Sequence, residues 1–159
     1  MQCLVLAFLS GMSVLVTAGA GHAQLADKKV LTLEAARRLV AAAEAEAERI
    51  HAPAVVAVVD DGGWLIALER MDRAPMLASV ELAPGKARAA AAFRKPTQAL
   101  ESSINAGRTA QVTAPGFVQM QGGVPIVIDG RVVGAIGISA DTPAHDQQIA
   151  DTAARSLGP

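Results

Sequence analysis

Two histidines offer this sequence its first route to chemistry. His51 follows a helical stretch, where the helix dipole favours an imidazolium. His145 lies in the first turn of another helical stretch, beside Asp146. There the dipole disfavours a charged ring and leaves a neutral imidazole able to coordinate a metal. Each also has a plain structural role, His51 as a helix C-cap and His145 as an exposed helix residue. A basic group, Lys86, Arg88, Arg94 and Lys95, surrounds Phe93. Arginine pairs carboxylates through charge-assisted bonds, but the same residues fit a solvated helix face with Phe93 in the core. Asp60, Asp61, Asp72 and Asp146 are the carboxylates near turns and helix starts. Asp60-Asp61-Gly62-Gly63 needs only turn chemistry to explain it. Ser139 has no Ser-His-Asp pattern around it, and neither a phosphate-binding glycine loop nor a zinc signature occurs. Gly122-Gly123 fits a backbone anion nest and equally a turn that opens a strand. Catalysis is therefore the weaker reading.

These residues need elements to position them. Val124–Ile128 and Arg131–Ser139 flank Asp129-Gly130. Asp-Gly between β-branched runs signals a hairpin, because a type I′ turn needs positive φ at both central residues. Gly134 and Gly137 strip side chains from the second strand, which calls for something packed close to its backbone; a helix on the sheet is the plainest choice. Earlier in the chain, Thr32 is placed to cap a helix over Leu33–Ile50. Ala36, Leu39, Val40, Ala43, Ala47 and Ile50 form its apolar stripe, and Glu34 and Arg38 are spaced to pair. His51-Ala52-Pro53 ends it. Ala54–Val59 and Trp64–Glu69 read as a second hairpin. Met76–Phe93 is helical but interrupted by Pro84-Gly85, so two pieces, Met76–Ala83 and Lys86–Phe93, or one kinked helix are expected. Thr97 is placed to cap a short helix to Asn105, stopped by Gly107. Arg108–Gln121 reads as loop with one short strand. Asp141 or Thr142 caps the last helix, with Pro143 at its first position and its end near Leu157. Hairpins with helices packed on them give an α+β fold, one domain with an antiparallel sheet of about five strands.

A net charge of −1 removes the electrostatic case for nucleic acid. With no tyrosine and three phenylalanines, the core must be aliphatic and alanine-rich. Residues 1–23 read as a secretory leader, with an apolar Leu4–Ala20 and small residues at Gly21-His22-Ala23, though no Lys or Arg precedes the apolar run. A retained anchor is the competing reading. Cleavage after Ala23 would leave residues 24–159, periplasmic or secreted. The single cysteine, Cys3, would be lost, and with it any disulfide or thiolate site.

Several segments in order resemble the GlcG/HbpS-like haem-binding family, also found as the C-terminal domain of some corrinoid adenosyltransferases. They are Leu31-Thr32-Leu33-Glu34-Ala35-Ala36, Val58-Val59-Asp60-Asp61-Gly62-Gly63, Arg70-Met71-Asp72 with Ala74-Pro75, and Lys86-Ala87 with Ala91-Ala92-Phe93 and Pro96-Thr97. The last runs from Gly122-Gly123-Val124-Pro125 through Gly134-Ala135-Ile136-Gly137-Ile138-Ser139 to Asp146. Ala140, where the family commonly has glycine, and Pro84-Gly85 depart from the pattern. The resemblance implies an α+β layer fold, self-assembly into dimers or larger rings, and no established reaction. Some relatives bind haem, some are exported, one branch acts beside a sensor kinase, and others belong to glycolate-utilisation operons.

For haem, the protein ligands are usually His, Cys, Met or Tyr. In residues 24–159 this leaves His51, His145, Met71, Met76 and Met120, with the histidines as iron ligands. Lys86 and Arg94 are then candidates for the propionates and Phe93 for stacking on the macrocycle. The reading that follows is an exported, oligomeric haem- or tetrapyrrole-binding protein that sequesters or senses its ligand, beside an extracellular sensor partner. Two alternatives stand next to it. One is an enzyme or accessory acting on a small hydroxy or oxo acid, which needs Arg70, Asp72 and Arg94 to converge. The other is a ligand-free partner protein, which needs a subunit interface over the Gly134/Gly137 face.

Overall fold

The structure, a computed structural model, describes residues 26–158; the leader-like segment, His22 and Cys3 lie outside them. Helix α1 spans Leu33–Arg49, strands β1 and β2 span Val55–Asp60 and Leu65–Arg70, and helices α2 and α3 span Ser79–Phe93 and Thr97–Asn105. After a 3-10 turn at Thr109–Thr113 come β3, Gly123–Ile128, β4, Arg131–Ser139, and helix α4, Pro143–Arg155. The strands form one antiparallel sheet in the order β2-β1-β4-β3. The sheet thus has four strands rather than about five. The 109–113 segment, expected as loop with a short strand, closes on itself as a 3-10 turn instead.

The sheet lies between two helical layers. Val56, Val58, Ile136 and Ile138 share a core with Leu39, Val40 and Ala43 of α1 and Ile149 and Ala150 of α4. On the opposite face, Val59 and Ala135 meet Ala87, Ala90 and Ala91 of α2, and Val55 and Ala57 meet Ala83. Period-2 alternation sends successive β1 and β4 side chains to the two layers. This explains why β1 is apolar from Val55 to Val59.

The glycines of β4 fix how closely the layers approach. A Cβ on Gly137 would lie 2.1 Å from the Ala83 carbonyl oxygen and 2.6 Å from the Ala87 nitrogen. Helix α2 therefore rests directly on the β4 backbone. Gly134 points the other way, towards the Leu31 side chain and the Val59 carbonyl. Both positions are covered within one chain, Gly137 by the helix expected there, so the subunit interface that the ligand-free alternative needs over this face is not available.

Helix α2 is continuous through Pro84-Gly85, so of the two alternatives, two pieces or one kinked helix, the two separate pieces do not form. Tertiary packing overrides the local cost. The helix is held on Gly137, and the loop after the 3-10 turn docks on it where Val118 N–H donates to the Gly85 carbonyl at 3.2 Å. Gly85 is needed there, since a Cβ would strike the Val118 side chain at 2.4 Å. The β3–β4 turn has φ 50° at Asp129 and 72° at Gly130, as a type I′ turn requires. Thr32 caps α1, its Oγ1 accepting from Ala35 N–H, and Glu34 pairs with Arg38. Thr97 does not cap α3. Pro96 occupies that position, and Thr97 Oγ1 is turned into the core, where it accepts from Gly123 N–H at 2.8 Å.

Candidate functional site

The pairings Val55↔Arg70 and Val55↔Ser139 put the start of β1, the end of β2 and the end of β4 at one end of the sheet. The last turn of α1 and the first turn of α4 lie there too. They are bridged by Gln148 Nε2, which donates to Glu46 Oε1 at 2.8 Å. His51 follows α1, Met71 follows β2, Met76 precedes α2 and His145 opens α4. Four of the five ligand candidates therefore gather at this end, and so do Arg70 and Asp72.

His145 is the best oriented of them. Thr142 caps α4, its Oγ1 accepting from His145 N–H at 3.2 Å, with Pro143 at the first helical position. The His145 ring, half-buried, places Nδ1 2.7 Å from Asp141 Oδ1. The hydrogen bond from His145 holds the Asp141 carboxyl below its usual range. An ionised carboxylate only accepts, so Nδ1–H is the donor, and in the neutral ring Nε2 then carries the lone pair. A carboxylate behind a ring nitrogen is the arrangement that orients histidines on metals. Asp141 was foreseeable only as a cap; its spacing of four from His145 carries the orienting signal.

His51 is exposed, with a left-handed backbone at φ 57° where α1 stops. It lines a groove of about 780 Å³ with Glu44, Glu48, Met71, Asp72 and Arg73. Met71 is half-buried there, and its sulfur accepts from Ala54 N–H at 3.4 Å. Glu44 faces Glu69 across this region, and burial together with that neighbour raises its carboxyl. Met76 and Met120 are exposed.

The basic group does not act together. Lys86 is fully buried, its Nζ 2.5 Å from Asp146 Oδ2 and 3.1 Å from the Ile138 carbonyl. It faces the protein interior, not a surface ligand. Burial pushes the Asp146 carboxyl up, while Lys86 and the Ala140 N–H pull it back. Arg88 is exposed and donates to the Gly116 carbonyl at 3.3 Å. Arg94 caps α2 in a left-handed conformation, and Lys95 is exposed beside it. Phe93 stacks edge-to-face on Phe117 with centroids 5.3 Å apart. Helix α2 has 15 residues, and at about 1.5 Å per residue its two ends lie roughly 20 Å apart. Met76 at one end and Phe93 and Arg94 at the other do not share a ligand within one chain. Arg94 is likewise separated from Arg70 and Asp72, so the constellation needed for a small hydroxy or oxo acid is not assembled. Among the described residues, no group of three or more metal-ligating side chains converges. None of their helices is long and apolar enough to cross a membrane.

Residues 31–155 match a family model described as haem degrading protein HbpS-like. The chain belongs to the HbpS-like family. It is 43% identical to protein GlcG of Escherichia coli K12 over 112 residues, covering 70% of this chain and 83% of that one. Its fold is similar to a double mutant of Streptomyces reticuli HbpS, with TM-score 0.79 and 32% identity over 89% of this chain and 96% of that one. It is also similar to a structure described as a PduOC:haem complex, with TM-score 0.74 and 30% identity over 82% and 96% of the two chains. The family and the α+β fold expected from the sequence are both borne out.

Proposed function

We propose that this chain binds haem and that His145 is the protein ligand to its iron. The observation that carries the reading is the Asp141–His145 pair, which leaves Nε2 free on a half-buried ring. The haem complex of a structural relative and the family description support the choice of ligand. His51 and Met71, on the groove at the same end, are the side chains of suitable chemistry for a second contact. Arg73 on that groove is the cation placed to meet a propionate; Lys86 is withdrawn from that role by its burial. His145 would hold the iron, and a haem held there would supply the ligand-binding chemistry that sequestration or sensing needs. The protein's own part is to orient the imidazole by keeping its Nδ1–H directed at the Asp141 carboxylate.

Export and self-assembly belong to the same proposal. The leader-like residues 1–23 support a periplasmic or secreted location, beside an extracellular sensor partner. Exposed Trp64, Leu65 and Leu68, on and beside edge strand β2, support assembly of copies through that edge.

Haemin titration of the full chain, followed by Soret absorbance, tests the binding reading, with His145→Ala and His51→Ala alongside. The expected result is a saturable, stoichiometric band that shifts and weakens in His145→Ala. A band lost only in His51→Ala overturns the ligand assignment. A response no greater than that of an unrelated protein overturns haem binding itself.

A further inference from the structure

The buried pair Lys86–Asp146 has no part in the proposed contact with iron, yet it sits immediately behind it. Asp146 Oδ2 accepts from Lys86 of α2, and its Oδ1 accepts from Ala140 N–H at 2.6 Å. Lys86 also donates to the Ile138 carbonyl at the end of β4. The next residue, Gln147, accepts from Gly122 N–H at 3.0 Å, and Gly122 O accepts from Ile138 N–H at 2.8 Å. Space here is closed, since a Cβ on Gly122 would lie 2.6 Å from Asp146 Cβ and 3.3 Å from Lys86 Nζ. The first turn of α4 is thereby tied to α2, to β4 and to the start of β3.

Stability alone gives little reason for this arrangement. Two charges taken out of water lose hydration that their attraction barely recovers, and well-packed apolar replacements are often as stable or more so. What the pair does supply is position. The bond from Ala140 N–H to Asp146 spans a short loop. The residue after Ala140 is Asp141, and the residue before Asp146 is His145, the two partners of the exposed pair.

We infer that Lys86 and Asp146 are positioning residues: they fix the loop between β4 and α4 so that Asp141 meets His145 Nδ1 and Nε2 faces outward. The inference rests on the reading of His145 as the ligand, and its test separates the two. The variants are Asp146→Asn and the double variant Lys86→Met with Asp146→Leu. The double variant removes both charges without stranding either, so it keeps the test open if Asp146→Asn fails to fold. Circular dichroism establishes folding. Imidazole nitrogen NMR of the ligand-free protein then reads the His145 tautomer, a quantity that a merely structural role would not move. Haemin affinity is measured in parallel. Expected are a nearly pure Nδ1–H tautomer in the parent, mixed tautomers in the folded double variant, and haemin affinity lower by roughly tenfold or more, as for other supports behind a metal ligand. A folded double variant with the parent tautomer overturns the inference, whatever its affinity. If His145→Ala leaves haemin binding unchanged, the ligand reading fails, while the tautomer measurement still decides the positioning role.

Discussion

Replacing Gly137 with alanine puts a methyl group 2.1 Å from the Ala83 carbonyl oxygen and 2.6 Å from the Ala87 nitrogen. Both obstacles are backbone, so no side-chain rotation can clear them. Ordinary contact begins at 3.4 Å, and reaching it requires α2 to rise from β4 by about 1.3 Å. A gap of that size forfeits about half or more of the dispersion attraction across it. The contact in question is the one that buries Ala83, Ala87, Ala90 and Ala91. Overpacking of a core costs about 1–3 kcal/mol, and rigid backbone on both sides puts this case near the upper figure. Gly→Ala ordinarily returns about 0.4–1 kcal/mol by restricting the unfolded chain. The net loss is then about 2 kcal/mol, or a fall in Tm of roughly 8 °C for a domain of this size. Urea denaturation followed by far-UV circular dichroism measures it. Gly130→Ala is the control, because nothing lies within 4 Å of its Cβ and only the φ of +72° resists the change. That costs about 1–2 kcal/mol before the same unfolded-state gain. A Gly137→Ala protein less destabilised than Gly130→Ala would refute the close approach of α2 to the sheet.

Thr142→Ala removes the hydroxyl that accepts from His145 N–H and should cost about 1 kcal/mol; Thr142→Ser should restore it, and thermal melts in which Thr142→Ala matches the parent and Thr142→Ser would count against the cap. Glu46 accepts from Arg49 and Gln148, and these bonds hold its carboxyl down at about 2 against an ordinary 4.5. A carboxyl lowered on folding stabilises the protein above its unfolded value, so the contribution is complete above pH 4.5 and disappears as pH falls towards 2. Glu46→Gln should therefore be less stable than the parent by about 1 kcal/mol at neutral pH, given the exposure of Arg49. The two denaturation curves should converge by pH 2, and a gap that stays constant with pH would contradict the assigned cause.

Local signals led directly to local structure. Asp129-Gly130 specified a turn whose two positive φ values are present, and the stripe from Ala36 to Ala47 marked the buried face of α1. Two further features were local in origin but decided elsewhere. Pro84-Gly85 reads as a break because helix propensity counts only the chain's own hydrogen bonds. The helix continues because Gly137 and Val118 hold it from outside the segment. Lys86 reads as a surface cation because lysine usually is one. Its burial depends on Asp146, sixty residues away, being carried to it by β4 and α4. At the site, the sequence singled out both histidines. It could not rank them, because the ranking depends on Asp141 turning back onto one ring.

The choice of sheet end follows from how each end is closed. At the hairpin end the turns satisfy themselves. Asp60 Oδ1 accepts from Gly62 N–H and Trp64 N–H, and Lys28 and Lys29 of the leading segment pair with Asp61 and Asp129. Little polar capacity is left there to aim at a ligand. At the other end the chain passes from α1 to β1 and from β4 to α4, and helix termini expose backbone groups that side chains must satisfy. Around the first turn of α4, Thr142 accepts from the His145 N–H, Asp146 from the Ala140 N–H before the helix, and Asp141 meets the His145 ring. A ring placed among them inherits their order. His145 occupies that place, whereas His51, beyond the last turn of α1, receives no comparable side-chain hydrogen bond among the described residues. That difference in support, more than the chemistry of either imidazole, is what the proposal of His145 as ligand rests on.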